Sequence, residues 1–400
     1  MLWAQTNEEL FREYQFNFSL PGARANAMGG AFIGLADDAT SSFANPAGLA
    51  FLRDAAISLE YRDRTIDTRT GSISGPTNFA FEQLQQEIQE ISFLSFNARW
   101  HEWYFGVFYY RFLNERQQRD FVSRTLIDGI ETVSAINVDL GLTGTNQGIG
   151  IARRVRNFKF GLSINQATLD VATSFTKEQV QIHPEFLEKF TTSRIDERDH
   201  QLAYTLGLQH GPSEWFSWGL VARINPNFNL LEHVEDVSSG QTIRVADFDI
   251  PFVVPDVYGA GIRVKPRNDL SVLLDWQYVR YQQIIKNGFT IVESPESDRS
   301  AFYTVDDIQE FHLGAEWLIP QGNHVWAVRG GYYRNPTHFV EYIGQDPVQS
   351  ALFSRRESPD ENHVTMGLGW GFKNQFNLDL SANFWGGGQE FTASIIWRKK

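Results

Sequence analysis

One pattern limits what this chain can become: from about residue 54 to the C-terminus, apolar side chains recur at every second position in segment after segment. A two-residue period places successive side chains on opposite faces of an extended strand, so each segment presents one apolar face and one small or polar face. Near the C-terminus, Asn377, Asp379, Ser381 and Asn383 share one face, while Leu378, Leu380, Ala382 and Phe384 share the other. The last segment repeats this, with Phe391, Ala393, Ile395 and Trp397 against Thr392, Ser394 and Arg398, and Ile396 as its misfit. Upstream, Val364, Met366, Leu368 and Trp370 oppose Thr365, Gly367, Gly369 and Gly371, and Phe158, Phe160, Leu162 and Ile164 oppose Lys159, Gly161, Ser163 and Asn165. The same holds for Leu202, Tyr204, Leu206 and Leu208 against Gln201, Ala203, Thr205 and Gly207. A soluble sandwich exposes long charged side chains on its outer face. Here the non-apolar face is largely Gly, Ser, Thr and Asn, which suits a confined lumen.

Composition narrows the choice. Hydrophobic residues make up 42% and aromatics 14%, yet mean hydropathy is −0.32, and no segment has the roughly 20 consecutive apolar residues of a spanning helix. A transmembrane strand needs only alternate residues to be apolar. The net charge of −13 argues against a nucleic-acid partner, for which a basic footprint is expected. The absence of cysteine excludes disulfide frameworks, thiolate metal sites and cysteine nucleophiles. Residues 1–5, MLWAQ, lack the basic and apolar regions of an intact signal peptide and read either as the remnant of one or as an ordinary tail.

Reading strands by this period gives about fourteen between residues 54 and 398, an even number as single-chain bacterial barrels require. Their connections alternate between short turns (101–102, 156–157, 211–214, 266–269, 320–322, 374) and long loops (67–89, 114–133, 174–198, 231–255, 283–307, 335–360). That alternation predicts an all-β, antiparallel transmembrane barrel in a Gram-negative-type outer membrane, with short turns on the periplasmic side; only the turn at 386–388 departs from it. Trp100, Trp103, Tyr104, Tyr109, Tyr110, Trp276, Tyr278, Trp317 and Trp397 recur toward strand ends as an interfacial girdle. Helical spacing in Leu84, Ile88 and Ile91 after Phe81, and in residues 177–190, predicts helices in two outer loops. Such loops would serve either as an apolar landing surface or simply pack on one another.

Residues 20–52, LPGARANAMGGAFIGLADDATSSFANPAGLAFL, do not alternate and are dominated by small residues. Asp37 or Asp38 is expected to cap a helical turn rather than hold a metal, and Asn45 before Pro46 favours an Asx turn that ends it. The succession Gly22-Ala23-Arg24, Ala27-Met28-Gly29-Gly30-Ala31, Ala36-Asp37-Asp38-Ala39 and Asn45-Pro46-Ala47-Gly48-Leu49-Ala50 resembles the start of the FadL/TodX family of outer-membrane transporters. Val254-Pro255-Asp256-Val257-Tyr258-Gly259-Ala260-Gly261, Leu274-Asp275-Trp276-Gln277-Tyr278, His312-Leu313-Gly314-Ala315-Glu316-Trp317 and Arg329-Gly330-Gly331-Tyr332-Tyr333 extend the resemblance over most of the chain. The resemblance implies a fourteen-stranded barrel (53–400) plugged by a hatch (1–52), with Asn45, Pro46 and Ala47 as a hatch element. It further implies uptake of long-chain fatty acids or hydrocarbons by a monomer, with sideways release into membrane lipid. The family's wall defect lies in the third strand, which here contains Gly106 but no proline.

A fatty acid's carboxylate calls for a forked donor, and alternation puts Arg99, Arg223, Arg263 and Arg329 on the lumen side. The competing reading pairs them with lumen carboxylates such as Asp275, Glu316 and Asp379. The rival functions are an accessory of protein secretion, a general porin and a barrel enzyme. The nine histidines are scattered and no nucleophile elbow or metal-ligand spacing is present, so neither an enzyme nor a cofactor is expected.

Overall fold

The computed structural model of the chain describes residues 18–73, 79–127, 130–181, 187–238, 240–288, 302–338, 340–345 and 360–399; residues 1–5 lie outside them. The strands are β1 (Ala55–Ile73), β2 (Phe79–Trp100), β3 (Trp103–Ile127), β4 (Ile130–Val155), β5 (Phe158–Gln181), β6 (Leu187–His210), β7 (Phe216–Ile224), β8 (Asn227–Ser238) and β9 (Gln241–Val253). They continue as β10 (Val257–Arg267), β11 (Leu270–Val279), β12 (Tyr303–Thr304), β13 (Ile308–Gln321), β14 (His324–Asn335), β15 (Glu341–Tyr342), β16 (Glu361–Phe372), β17 (Phe376–Trp385) and β18 (Gly388–Lys399). Fourteen of them, all but β8, β9, β12 and β15, form a closed antiparallel ring in which β1 meets β18 from Ala55↔Lys399 to Ile66↔Gly388. Closure leaves no sheet edge with unpaired backbone groups in an environment without water.

The alternation decides which way each side chain points. On β1, Leu59 is 41% exposed between Ser58 and Glu60, both fully buried, and on β6 Leu206 is 54% exposed beside Thr205 at 4%. Outward apolar side chains thus form a band around the ring, as lipid contact requires. Trp100, Trp103, Trp276, Trp317 and Trp397 lie on this outer surface. Tyr104 and Tyr110 do not: both are buried, because they fall on the parity opposite to Trp103 and point into the lumen. The misfit Ile396 also points inward, where it packs against Ala39 and Ala56.

Three of the expected long loops are largely strand. The ladders β1–β2, β3–β4 and β5–β6 continue well past the apolar band, to Ile73↔Phe79, Ile127↔Ile130 and Gln181↔Leu187. Above the band the faces exchange polarity. On β5, Phe158, Phe160 and Ile164 are exposed outside and Ser163 and Asn165 buried inside; farther along, Ala167, Leu169 and Val171 face inward and Thr168 and Asp170 outward. Strands that leave lipid for water must turn their charged face out. The helices expected near residues 81–91 and 177–190 are therefore strand where described; residues 182–186 lie outside the described residues. Positions 84 and 88 are as compatible with a two-residue period as with a helical one. The strand expected over 215–230 breaks at Asn225-Pro226, and the connection 231–255 holds most of the β8–β9 hairpin, whose β8 resumes pairing with upper β6.

Residues 18–54 precede β1 and lie within the ring. They contain α1 (Ala23–Ala27), α2 (Ser41–Ala44) and a 3-10 turn (Pro46–Phe51), elements too short to satisfy their own backbone. Inward polar side chains from around the ring do so instead. Ser95 and Asn97 donate to Ala39 O, Ser163 to Ser42 O, Gln209 to Ile33 O, Ser217 to Gly34 O and Thr365 to Ala27 O. Asp275 accepts the amides of Phe32 and Ile33 at 2.6 and 2.7 Å. Glycines on the same faces let the backbones touch: a Cβ on Gly161 would collide with Pro46 and Ala47, and one on Gly207 with Asn45 Oδ1.

Two outcomes test this architecture. Leu206→Arg, on the lipid face, is expected to cost about 2–4 kcal/mol in unfolding from bilayers, whereas Thr176→Arg, on the same side of the wall above the band, should change stability by no more than about 0.5 kcal/mol. Gly207→Val should push the 45–47 turn off β6 and raise single-channel conductance in planar bilayers toward that of a barrel lacking residues 20–50. Unaltered conductance in both would show that the segment does not block the lumen.

Candidate functional site

Within the plug, Asn45 is fully buried and joins two elements. Its Oδ1 accepts Ala47 N–H at 3.2 Å, capping the 3-10 turn that opens with Pro46, and its Nδ2 donates to Ile33 O at 3.1 Å and to Leu220 O of β7 at 3.4 Å. The motif thus fastens the plug to itself and to the wall. Asp38 accepts Thr40 N–H and hydroxyl at 2.9 and 2.6 Å, a turn just ahead of α2 rather than the expected helix cap, since the N-cap is Thr40 and no side chain caps the helix. Asp37 instead meets Arg24 at 2.6 Å.

The four lumen arginines have separate fates. Arg329 is an ion-pair element: it holds Glu316 at 2.8 Å and Asp379 at 2.7 Å, and Glu316 also takes the plug's Arg24 at 2.8 Å. Two of the three expected carboxylates are paired in this way, while Asp275 serves the plug amides. Arg99 sits exposed at the short-turn rim, donating to His101 O and lying over Tyr104. Arg263 is partly buried two residues nearer the short turns than Gly261, where β10 touches Gly34, and makes no ion pair among the described residues.

Among the described residues, Arg223 shares with Arg263 the lack of an ion pair and an Nε without a partner, but it alone of the two is buried. It is 4% exposed, donates from Nη2 to Ala44 O at 2.8 Å and from Nη1 to Gln277 Oε1 at 3.4 Å, and lies 6.0 Å from the Phe43 ring. Among the described residues it has no carboxylate partner, and its Nε has no hydrogen-bond partner. A buried guanidinium without a counter-ion is costly unless something else supplies the charge.

Arg223 lines a cleft together with Phe18, Ser19, Phe43, Tyr110, Phe112, Asn146, Asn225, Pro226 and Val254. Phe43 packs on Tyr110 and Phe108 at 4.6 and 5.8 Å between ring centres, and Tyr110 donates to Ser19 O at 2.6 Å. Above it lies the main apolar cluster, built from the inward faces of β4, β5, β8 and β9 and closed by Tyr281, Ile284, Tyr303, Val305 and Val340. Ile284 belongs to α3 (Gln282–Gly288). A second cleft shares Phe18 and Ser19 but is lined by Asn26, Gln277, Glu310, His312, Tyr333, Asn383 and Glu390. Its acceptor-rich polar walls do not suit an apolar guest.

Sequence reasoning singled out Arg223, assigned Tyr110 to the outer girdle, and passed over Phe43, Phe112 and Pro226. The signal was present in Phe108, Tyr110 and Phe112 of β3, a short apolar run where the lower lumen face carries mostly polar residues, and in Pro226, which cannot donate to a ladder.

The wall beside this cleft is incomplete in two places. The β2–β3 ladder ends at Phe93↔Tyr110; beyond it β2 pairs with β1 and β3 with β4. Both strands bulge at that height, at Ser92 and Phe112, and Glu90 bridges the seam to Arg111 at 3.3 Å and Asn114 at 2.8 Å. The break expected in the third strand at Gly106 is not there: Gly106 pairs with Asn97 on one side and Gly150 on the other. Its missing side chain makes room for Ser42 and Leu49 of the plug. The second interruption lies in β6, whose ladder with β7 ends at Tyr204↔Ile224 and with β8 begins at Arg194↔His233.

No family model and no curated protein sequence matches the chain. Solved structures do. A FadL homologue of Pseudomonas aeruginosa superposes with a TM-score of 0.65 at 12% identity, covering 96% of this chain and 100% of that one. The toluene transporter TbuX of Ralstonia pickettii gives 0.59 at 15% identity over 96% and 100% of the two chains. The toluene transporter TodX of Pseudomonas putida gives 0.58 at 14% over 96% and 99%. A closed ring of fourteen strands filled by its own N-terminal segment, matched end to end by these structures, is the FadL/TodX fold.

Proposed function

We propose that the protein is an outer-membrane transporter that takes hydrophobic molecules through a plugged barrel, with residues 1–52 as the hatch and 53–400 as the monomeric barrel. The observation that carries this reading is the apolar cleft with one unpaired, buried guanidinium. Apolar molecules cross the sugar layer of an outer leaflet poorly, and a protein interior with apolar walls and few placed polar groups offers them a bypass. The solved structures with this fold include toluene transporters, which supports a hydrophobic substrate class. Arg223 favours a long-chain fatty acid over a neutral hydrocarbon, because a carboxylate supplies the missing counter-charge while Phe43, Tyr110 and Phe112 receive the chain. The β2–β3 seam, lined by Tyr110 and Phe112 at the cleft, is the proposed sideways exit into lipid.

Arg223→Met keeps the apolar bulk and removes the charge. Fatty-acid binding should weaken by about tenfold or more, as loss of a charge-assisted hydrogen bond worth ~1.5–3 kcal/mol implies, while toluene uptake stays as it was. Undiminished fatty-acid affinity would remove Arg223 as the head-group site. The transport reading itself fails if cells lacking the protein take up fatty acids and hydrocarbons at unchanged rates and mass spectrometry finds no lipid-like molecule in extracts of the purified protein.

A further inference from the structure

Resting on that reading, we infer that the apolar substrate enters the Arg223 cleft from the side, through the interruption between β6 and the β7–β8 junction. Residues 195–203 of β6 pair with β5 on one side and with neither β7 nor β8 on the other. The opposing chain cannot mend the gap. Pro226 has no N–H to give, and Asn225 spends its amide on Asp256 Oδ1 at 2.9 Å and its side chain on Pro255 O at 2.6 Å. From Asn227 onward β8 pairs with β9 instead. One hydrogen bond spans the interruption, from Asn229 N–H to Asp199 Oδ2 at 2.8 Å, on the exposed surface.

The interruption joins the right places. Asn225 and Pro226, which form its one edge, are also walls of the cleft. Outside, it lies where the apolar band ends. Leu202, Tyr204 and Ile224 are exposed apolar residues at its lower border, while Asp196 and Arg198 stand exposed in its upper part, with Arg194 just beyond. A molecule dissolved at the lipid boundary therefore meets an unladdered stretch of wall with the cleft directly behind it. The alternative approaches are obstructed. The barrel mouth above the cleft is filled by packed apolar side chains, a cluster that reaches the interruption only at its border, through Ile195, Phe228 and Leu230, and the β2–β3 seam is held by the Glu90–Arg111–Asn114 contacts.

The chain has no cysteine, so a disulfide can be introduced without competing thiols. The test joins Asp199→Cys to Asn229→Cys and, in a second protein, Glu90→Cys to Asn114→Cys. Oleate uptake is measured in cells that depend on the variant, before and after reduction, with heat-modified electrophoretic mobility reporting the folded barrel. Closing 199–229 should abolish uptake and reduction should restore it. Uptake by the oxidised 199–229 protein equal to that of its reduced form would overturn the side entrance. The unaltered protein provides an independent measurement with a fatty acid carrying a diazirine on its tail. Labelling of peptides spanning 195–203 and 225–232, suppressed by excess oleate, is expected; labelling confined to other peptides would count against the route. The oxidised 90–114 protein separates the claims, since retained uptake there removes the proposed exit and leaves the entrance untouched. If the unaltered protein neither takes up nor is labelled by the probe, the transport reading fails and the entrance falls with it.

Discussion

Everything in this barrel depends on how the backbone of an irregular segment is satisfied where bulk water does not reach. Residues 18–54 have little regular structure, and although turns satisfy part of their backbone, many amides and carbonyls lack partners of their own kind. An unpaired buried backbone group costs on the order of 1–3 kcal/mol, and a plug with many of them would not stay inside. The inward faces supply the missing partners one by one: Ser95 and Asn97 for Ala39, Ser163 for Ser42, Gln209 for Ile33, Thr365 for Ala27, Asp275 for two successive amides. The polar lumen face is thus a lining cut to one peptide rather than a solvated channel wall, and its glycines are the points where that peptide touches.

The same constraint explains where the cleft lies. Plug-level lumen positions must be polar because they serve backbone. Above the plug nothing requires this, and the inward face turns apolar at Ala167, Leu169 and Val171 on β5 and at Leu140 and Leu142 on β4. Outside, the surface changes in the opposite sense as the strands leave lipid. A molecule with one charged end and an apolar tail fits the boundary between the two lumen regions. Arg223 stands there, with its guanidinium on the plug's Ala44 and the apolar cluster beyond.

This inversion also marks what could be read from sequence. The lower half of the barrel was legible because lipid outside and small polar residues inside give a pure two-residue pattern, as in residues 364–371 and 377–384. The upper halves of β1 to β6 were not. A rule that asks for apolar residues outside carries β5 only to residue 173 and leaves 174–198 as a loop, although the period itself continues through Phe175 and Lys177. Arg329 and Arg223 could not be told apart by parity, since both point inward. What separates them is a carboxylate across the ladder, Glu316 for the first and none for the second, whose ladder partners are Thr205 and Val257, and that depends on register. The β2–β3 interruption does touch the third strand, at Tyr110 to Phe112, but not at its glycine. A glycine suggested weakness in the wall, but Gly106 is a close-approach position in an intact ladder, while the interruption comes from bulges at Ser92 and Phe112 that no residue type announces.

The two halves of the plug are held by different forces. Around residues 22–33, charged groups face the plug: Glu60 accepts Gly22 N–H, Asp275 accepts Phe32 and Ile33, and Arg24 joins the Glu316–Arg329–Asp379 chain. Breaking a buried ion pair by withdrawing one partner costs about 3–5 kcal/mol, so this half is expensive to move. Residues 39–52 are held mainly by neutral hydrogen bonds from Ser95, Asn97 and Ser163 and by close contacts on Gly161 and Gly207, bonds of about 0.5–1.5 kcal/mol each. The strongest polar tie of that half is Arg223 on Ala44, and it is the one a bound carboxylate would compete for. A ligand that draws Arg223 away thus weakens the plug where its other restraints are smallest, on the side nearest both interruptions of the wall, while the ionic half keeps the segment inside the barrel.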